Sequence, residues 1–270
     1  MPKKETAVRK NILPLFVILV ALIATGCGQR KQAITMAGST AFQPFAEKLA
    51  EQYMTMHPEI TITVQGGGSA VGIQSALSGA AQIGMADLVQ LPPEAQALTA
   101  TQVARDGIVM VVNPVNQVAG LTLAQIRDIY NGKIRNWKEV GGSDADITVV
   151  SREAGSGTRT SFEQIVSGID LSKDALIQDS NGTIRETIAN DPNAVGYLSH
   201  GLLNEKVKAL KVDGQSCEIT AIAAGKYKLV RPIYLLVKGQ PSPEVKAFIE
   251  YLLSVGGQAT IAKDGLLPAR

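Results

Sequence analysis

Three short segments carry the residue types that hold oxyanions: Gly38-Ser39-Thr40, Gly66-Gly67-Gly68-Ser69 and Gly155-Ser156-Gly157-Thr158, the last with Arg152 just upstream. Each lies between an apolar run and a segment with helical spacing. At such a junction the free N–H groups of a helix start, its dipole and a side-chain hydroxyl point at one spot. Glycine lets the main chain come close, and an anion site results. A lone Ser or Thr before a helix is most often an N-cap. Three such loops, one beside a guanidinium with planar donors, favour a ligand over caps alone. Asp87 ends a further apolar run, Ile83-Gly84-Met85-Ala86. A carboxylate there either caps a turn or meets an anion that brings its own proton.

Strands and helices must hold these loops in place. Strands are expected at Ala33–Met36, Ile60–Val64, Ile83–Ala86, Gly107–Val112, Ile147–Val150, Ala194–Leu198 and Leu229–Val237. Phe45, Leu49 and Tyr53 have helical spacing, with Pro44 near the start, where its missing N–H costs nothing. Thr40 and Gln43 have the spacing of a capping box. Further helices are expected around Ile73 to Leu77, over Leu123–Tyr130, after Thr158, over Gly182–Ala189, and over Glu244–Leu253 to close the chain. The alternation implies an α/β architecture with mostly parallel strands. Asn113-Pro114 marks a turn where the chain crosses between domains. Pro232 confines the start of its strand to an edge or a hinge.

The composition narrows the function. Apolar residues make up 45% of the 270 and charged residues 19%, which fits a globular chain with a large core. Aromatics are 4%, with Trp137 the single tryptophan, too few for the stacking platforms of sugar or single-strand binding. Two cysteines and two histidines exclude a disulfide framework and a Cys-based zinc site. The net charge of +2 comes from the first 26 residues, where Lys3, Lys4, Arg9 and Lys10 face only Glu5. The rest is close to neutral, so no nucleic-acid partner is expected.

That basic start leads into an apolar run from Ile12 to Ala24 and then Thr25-Gly26-Cys27, the pattern of an export signal. Ile23 to Cys27 resembles a bacterial lipobox, with Ala24 where the motif usually has Leu. The resemblance implies cleavage before Cys27 and lipidation of its thiol. An exported chain would then keep one thiol, Cys217, and no intrachain disulfide.

The segments Ala37 to Thr40, Gly66 to Ser69, Ile83 to Asp87 and Arg152 to Thr158 together resemble the phosphate-binding component of phosphate-specific ABC transporters. Ile129-Tyr130-Asn131-Gly132-Lys133-Ile134-Arg135-Asn136-Trp137, Val195-Gly196-Tyr197 and Gly256-Gly257-Gln258 are similar to the same family, and the likeness runs from about 33 to 268. It implies a type II periplasmic-binding fold, two α/β lobes joined by two strand crossings with a ligand cleft between them. The expected layout is a signal peptide at 1–26, a tether at 27–32, one lobe from 33–113 and 229–270, and the other from 114–228. By position, Thr40, Ser69, Asp87, Arg152, Ser156, Gly157 and Thr158 match the phosphate ligands, with Ser39 an addition. Many shorter members have Ser-Arg after the third strand where this chain has Ala86-Asp87-Leu88, closer to the members that use an aspartate, so that loop is not expected to bring a second arginine. The resemblance further implies a monomer without catalysis, cofactor or metal. Its partners would be inorganic phosphate, permease subunits with their ATPase, and a membrane reached through the lipid anchor, facing the periplasm or the exterior.

Other readings compete. Gly66, Gly68 and Gly72 precede a helix, and Asp87 follows about 20 residues on, a variant of the dinucleotide-binding fingerprint. Ser156 could serve a hydrolase if His57 or His200 were its base. Another tetrahedral oxyanion or a phosphonate stays within the binding class. Asp87 favours a protonated anion, as hydrogen phosphate is and sulfate is not.

Overall fold

The computed structural model describes residues 1–2 and 32–269; the expected export signal and Cys27 lie outside them. Two strand–helix units come first: β1 (Gln32–Gly38), α1 (Gln43–Met56), β2 (Ile60–Gly67) and α2 (Ser69–Ser78), followed by β3 (Ile83–Ala86). β1 pairs in parallel with both β2 and β3. Every residue of β3 is buried, as a strand covered on both faces must be. Pro44 falls in the first turn of α1, but the expected capping box is absent. Phe42 is the N-cap, two residues beyond Thr40, so Gln43 opens the helix instead of closing its first turn. The Ser39 Oγ accepts from the N–H groups of Ala41 and Phe42, both at 3.2 Å, and takes over that role.

β4 (Leu98–Val112) is fifteen residues long, far beyond the stretch expected from Gly107. After it come α3 (Leu123–Tyr130), β5 (Thr148–Arg152), α4 (Gly157–Val166), β6 (Leu176–Gln178), α5 (Asn181–Asn190) and β7 (Ala194–Ser199). β8 (Val230–Lys238) leads back to α6 (Pro243–Leu253) and α7 (Val255–Lys263). The chain therefore does not close on α6. The Gly256-Gly257 pair hides α7 from propensity; the fold holds it through fully buried Ile261 and the Ser254 cap on the Gly257 N–H.

The sheet runs β2-β1-β3-β8-β4-β7-β5-β6. Its two ends are parallel, whereas β4 and β8 run antiparallel to each other and to their flanking strands. Parallel pairing thus describes each half, and the antiparallel centre is where the chain passes between them. Two large cores follow this division. Val103 and Ala104 of β4 pack with Ile34, Phe45 and Ile233. Ile108 to Val112 pack instead with Ile129, Trp137, Phe162 and Tyr197. The change of core falls between Ala104 and Ile108 on β4, and between Leu229 and Ile233 on the return strand. It precedes the Asn113 turn, because β4 continues unbroken into the second core. Pro232 pairs with Arg105 of β4, while β8 meets β3 only from Tyr234, so the proline's other side is free of a ladder.

Candidate functional site

The loops after β1, β2, β3 and β5 meet where the two cores face each other. Gly38 has φ +134°, and a Cβ there would lie 2.2 Å from the Met85 carbonyl oxygen, so only glycine fits. This close approach delivers Ser39 and Thr40 beside the end of β3. Ser39 is fully buried with its Oγ engaged as the cap described above. Thr40 Oγ1 accepts from the Asn181 Nδ2 at 3.0 Å, a contact between the two halves.

Asp87 is the centre of the arrangement and is 2% exposed. Ser69, in the first turn of α2, donates from Oγ to Asp87 Oδ1 at 2.6 Å and accepts from the Asp87 N–H at 3.0 Å. Thr158 donates from Oγ1 to Oδ2 at 3.2 Å. The Arg231 guanidinium lies against the same Oδ2 through Nη1. A carboxylate accepts at about four lone-pair positions. Ser69 and Thr158 use two of them, and Arg231 Nη1 sits against Oδ2 as an ion contact without hydrogen-bond geometry, which leaves room for a ligand proton.

Arg152, at the end of β5, is 1% exposed. Its Nε and Nη2 donate to both Glu153 carboxylate oxygens at 2.9 and 2.8 Å, and to the carbonyls of Gln178 and Asp179. Nη1 is buried and has no hydrogen-bond partner. A guanidinium cannot lose its proton, so this atom is a charged donor with an acceptor still to find. Ser156 caps α4 by accepting the Arg159 N–H at 3.2 Å. The N–H groups of Gly157 and Thr158, and of Ser69 on α2, stand in first turns, where no intrahelical acceptor exists. A Cβ on Gly157 would meet the Ser69 Oγ at 2.1 Å, so glycine is what lets α4 abut α2.

The halves are shut on each other here. The Ala70 N–H donates to the Gly155 carbonyl at 3.1 Å, and Ser161 Oγ donates to the Asp87 carbonyl at 3.1 Å while accepting from the Val89 N–H. The sequence-selected Thr40, Ser69, Asp87, Arg152, Ser156, Gly157 and Thr158 therefore gather at one seam, with Ser39 beneath it as a cap.

Three participants were missed. Glu153 follows Arg152 directly and could have been suspected as its partner. Asn181 donates to Thr40 and accepts the Ser199 N–H at 3.0 Å, yet as the first helical residue of α5 it looks like an ordinary helix-start residue. Arg231 comes from β8, so the second arginine arrives from a strand and not from the loop after β3. Its signal was a lone charge inside the apolar run Leu229 to Val237.

The competing chemistries find little support. Ser156 is spent as a cap, while His57 stacks on Tyr53 and His200 Nδ1 lies 2.8 Å from the Gly265 carbonyl. Gly72 serves packing, since a Cβ there would meet the Met85 carbonyl at 2.4 Å, and Asp87 faces Ser69, Thr158 and Arg231 in place of a ribose. Among the described residues no three His, Cys, Asp or Glu side chains are grouped to hold a metal. Burial pushes the Cys217 thiol up, which keeps it protonated. No helix of the described residues is long and apolar enough to cross a membrane.

Two α/β halves, joined by two strands and closed over a seam of hydroxyl, N–H and guanidinium donors, define a binding protein with the type II periplasmic-binding fold. Residues 24–255 match the family model of the PBP superfamily domain, and the chain belongs to that family. It is 34% identical to the phosphate-binding protein PstS of Bacillus subtilis (strain 168), over 96% of this chain and 95% of that protein. Among solved structures, it is similar to a phosphate ABC transporter substrate-binding protein from Clostridium perfringens, solved with bound phosphate. The identity is 38% and the TM-score 0.85, covering 88% of this chain and all of that one. An ABC-type phosphate transport receptor from Vibrio cholerae is 37% identical with a TM-score of 0.73, covering 87% and 99%.

Proposed function

We propose that this chain is an extracytoplasmic solute-binding protein that captures inorganic phosphate between its lobes and delivers it to an ABC importer. The observation that carries the reading is the buried, partnerless Arg152 Nη1 at a seam whose other groups are helix-start N–H donors, hydroxyls and the single carboxylate Asp87. Phosphate oxygens would accept from Arg152 and from the N–H groups of Ser69, Gly157 and Thr158. The Ser69 and Thr158 hydroxyls each own one proton, given to Asp87, so they hold that carboxylate in place and leave the N–H groups and Arg152 to meet the ligand oxygens. A remaining lone pair of Asp87 would take the proton of hydrogen phosphate. Thr40, linked to Asn181, and Ser156, at the start of α4, would line the same space, with Ser39 fixing the loop.

The named relatives are phosphate-binding or phosphate-transport proteins, which supports a binder over a catalyst and a permease with its ATPase as the recipient. The lobes correspond to the two cores, so entry and release require rotation about β4 and β8. We place the mature protein outside the cytoplasm as a monomer tethered through a lipid on Cys27. Calorimetric titration of the purified protein with phosphate and with sulfate tests the reading. Saturable 1:1 heat with phosphate and none with sulfate is expected; absence of heat with phosphate would refute it.

A further inference from the structure

Arg231 is fully buried at the point where both crossing strands pass between the lobes, in register with Asp106 on β4. Its Nε and Nη2 donate to Asp106 Oδ2 at 3.2 and 2.8 Å. Asp106 is itself fixed from the second lobe, because its Oδ1 accepts from Ser199 Oγ at 2.9 Å and from the His200 N–H at 3.2 Å. The third arm of the guanidinium, Nη1, lies on Asp87 Oδ2. One planar fork therefore spans two buried carboxylates, one in the hinge and one at the anion seam. A lysine could not do this, since a single ammonium offers no fixed fork.

Phosphate capture places a negative carboxylate against an incoming anion, in a seam that excludes water. Like charges there repel strongly unless a cation compensates. Arg152 is held by Glu153 on two arms, has only Nη1 left and makes no ion pair with Asp87. The cation in contact with Asp87 is Arg231. Resting on the phosphate reading, we propose that Arg231 is the positioning residue of the anion site. It acts through Asp87, neutralising that carboxylate and fixing its plane so that a lone pair faces the ligand proton. With Ser69 on Oδ1 and Arg231 and Thr158 on Oδ2, the carboxylate has no freedom to turn.

A double-mutant cycle distinguishes this role from plain support of the hinge. Phosphate dissociation constants are measured by calorimetry for wild type, Arg231→Gln, Asp87→Asn and the pair together, with thermal melts of each. Losing the cationic partner of a buried carboxylate is expected to weaken phosphate binding by about 10- to 100-fold in the wild-type background. With Asn at 87 there is no charge to neutralise, and the same substitution should cost less than about threefold. Equal losses in both backgrounds would show that Arg231 acts only on the hinge and would overturn the proposal. If Arg231→Gln does not fold, Arg231→Lys replaces it; a loss confined to the Asp87 background supports the proposal, and an equal loss in both overturns it. Absence of phosphate binding by wild type would instead defeat the underlying phosphate reading.

Discussion

Gly157 lies so close to Ser69 that a Cβ at 157 would sit 2.1 Å from the Ser69 Oγ and 2.7 Å from Asp87 Oδ1. The two residues belong to different lobes, and their helix starts are the walls of the seam proposed to take the anion. Glycine at 157 is therefore a condition of closure and not of local backbone geometry, since its φ is not in the left-handed region. Gly157→Ala should keep the seam ajar and weaken phosphate binding by at least about tenfold, through displaced donors each contributing about 1.5–3 kcal/mol. The melting temperature without ligand should change little, because neither core is touched. Unchanged phosphate affinity in titration would show that the lobes close without this contact.

Glu153 holds two arms of Arg152 and aims the third. Arg152→Ala should cost one to two powers of ten in phosphate affinity, from the loss of a charge-assisted donor worth about 1.5–3 kcal/mol. Glu153→Gln keeps a hydrogen-bonding partner but removes the offsetting charge. A guanidinium less neutralised by its neighbour should hold a dianion more tightly if it stays in place, and less tightly if it swings away. The paired arms at 2.9 and 2.8 Å argue that orientation dominates, so Glu153→Gln is expected to weaken binding, by less than Arg152→Ala does. Tighter binding by Glu153→Gln would reverse that ordering.

The convergence of the glycine-hydroxyl loops on one seam was legible because the features that mark them are local. Glycines, a hydroxyl and a helix start occur within four residues, and the strand before each loop is a short apolar run. Arg231 was not legible in this way. Its partners Asp87 and Asp106 lie 144 and 125 positions away, and only the β4–β8 register and the β3 edge bring them together. Asn181 is invisible for the same reason, since its link to Thr40 spans the closed seam. The length of β4 was missed because its first third, Leu98 to Gln102, reads as polar and edge-like before it becomes the apolar crossing strand. The α1 cap failed because a spacing of three identifies a capping box only when the helix begins where the spacing supposes, and the Gly38 turn shifts that start by two residues.

Cys27 lies beyond the described residues, and its role is tested in cells. Cys27→Ser should move the protein from the membrane fraction to the soluble exported fraction, because the proposed lipid on this thiol is what would hold the mature protein at the membrane. Stable attachment through it needs two acyl chains, as a single chain binds only marginally. Fractionation followed by immunoblotting reads the result. Retention of Cys27→Ser at the membrane would mean that the apolar run from Ile12 to Ala24 stays in place as an anchor.

Selectivity should rest on Asp87. Ser69 and Thr158 donate to its two oxygens and the Arg231 guanidinium lies against Oδ2, so what it offers a ligand is a fixed acceptor. Hydrogen phosphate can donate to it while its other oxygens accept from Arg152 and the helix-start N–H groups. Sulfate has no proton, and one of its oxygens would face the carboxylate lone pair in a seam closed to water. Sites built around a ligand's donor reject analogues lacking it by about 10⁴–10⁵. Wild type should therefore prefer phosphate over sulfate by several powers of ten at neutral pH. Asp87→Asn presents an amide that can turn its donor to either anion, and its preference should collapse toward parity. The measurement is a pair of titrations, phosphate and sulfate, on both proteins at one pH. Undiminished discrimination by Asp87→Asn would assign selectivity to the shape of the donor ring, with Asp87 left as an internal acceptor for Ser69, Thr158 and Arg231.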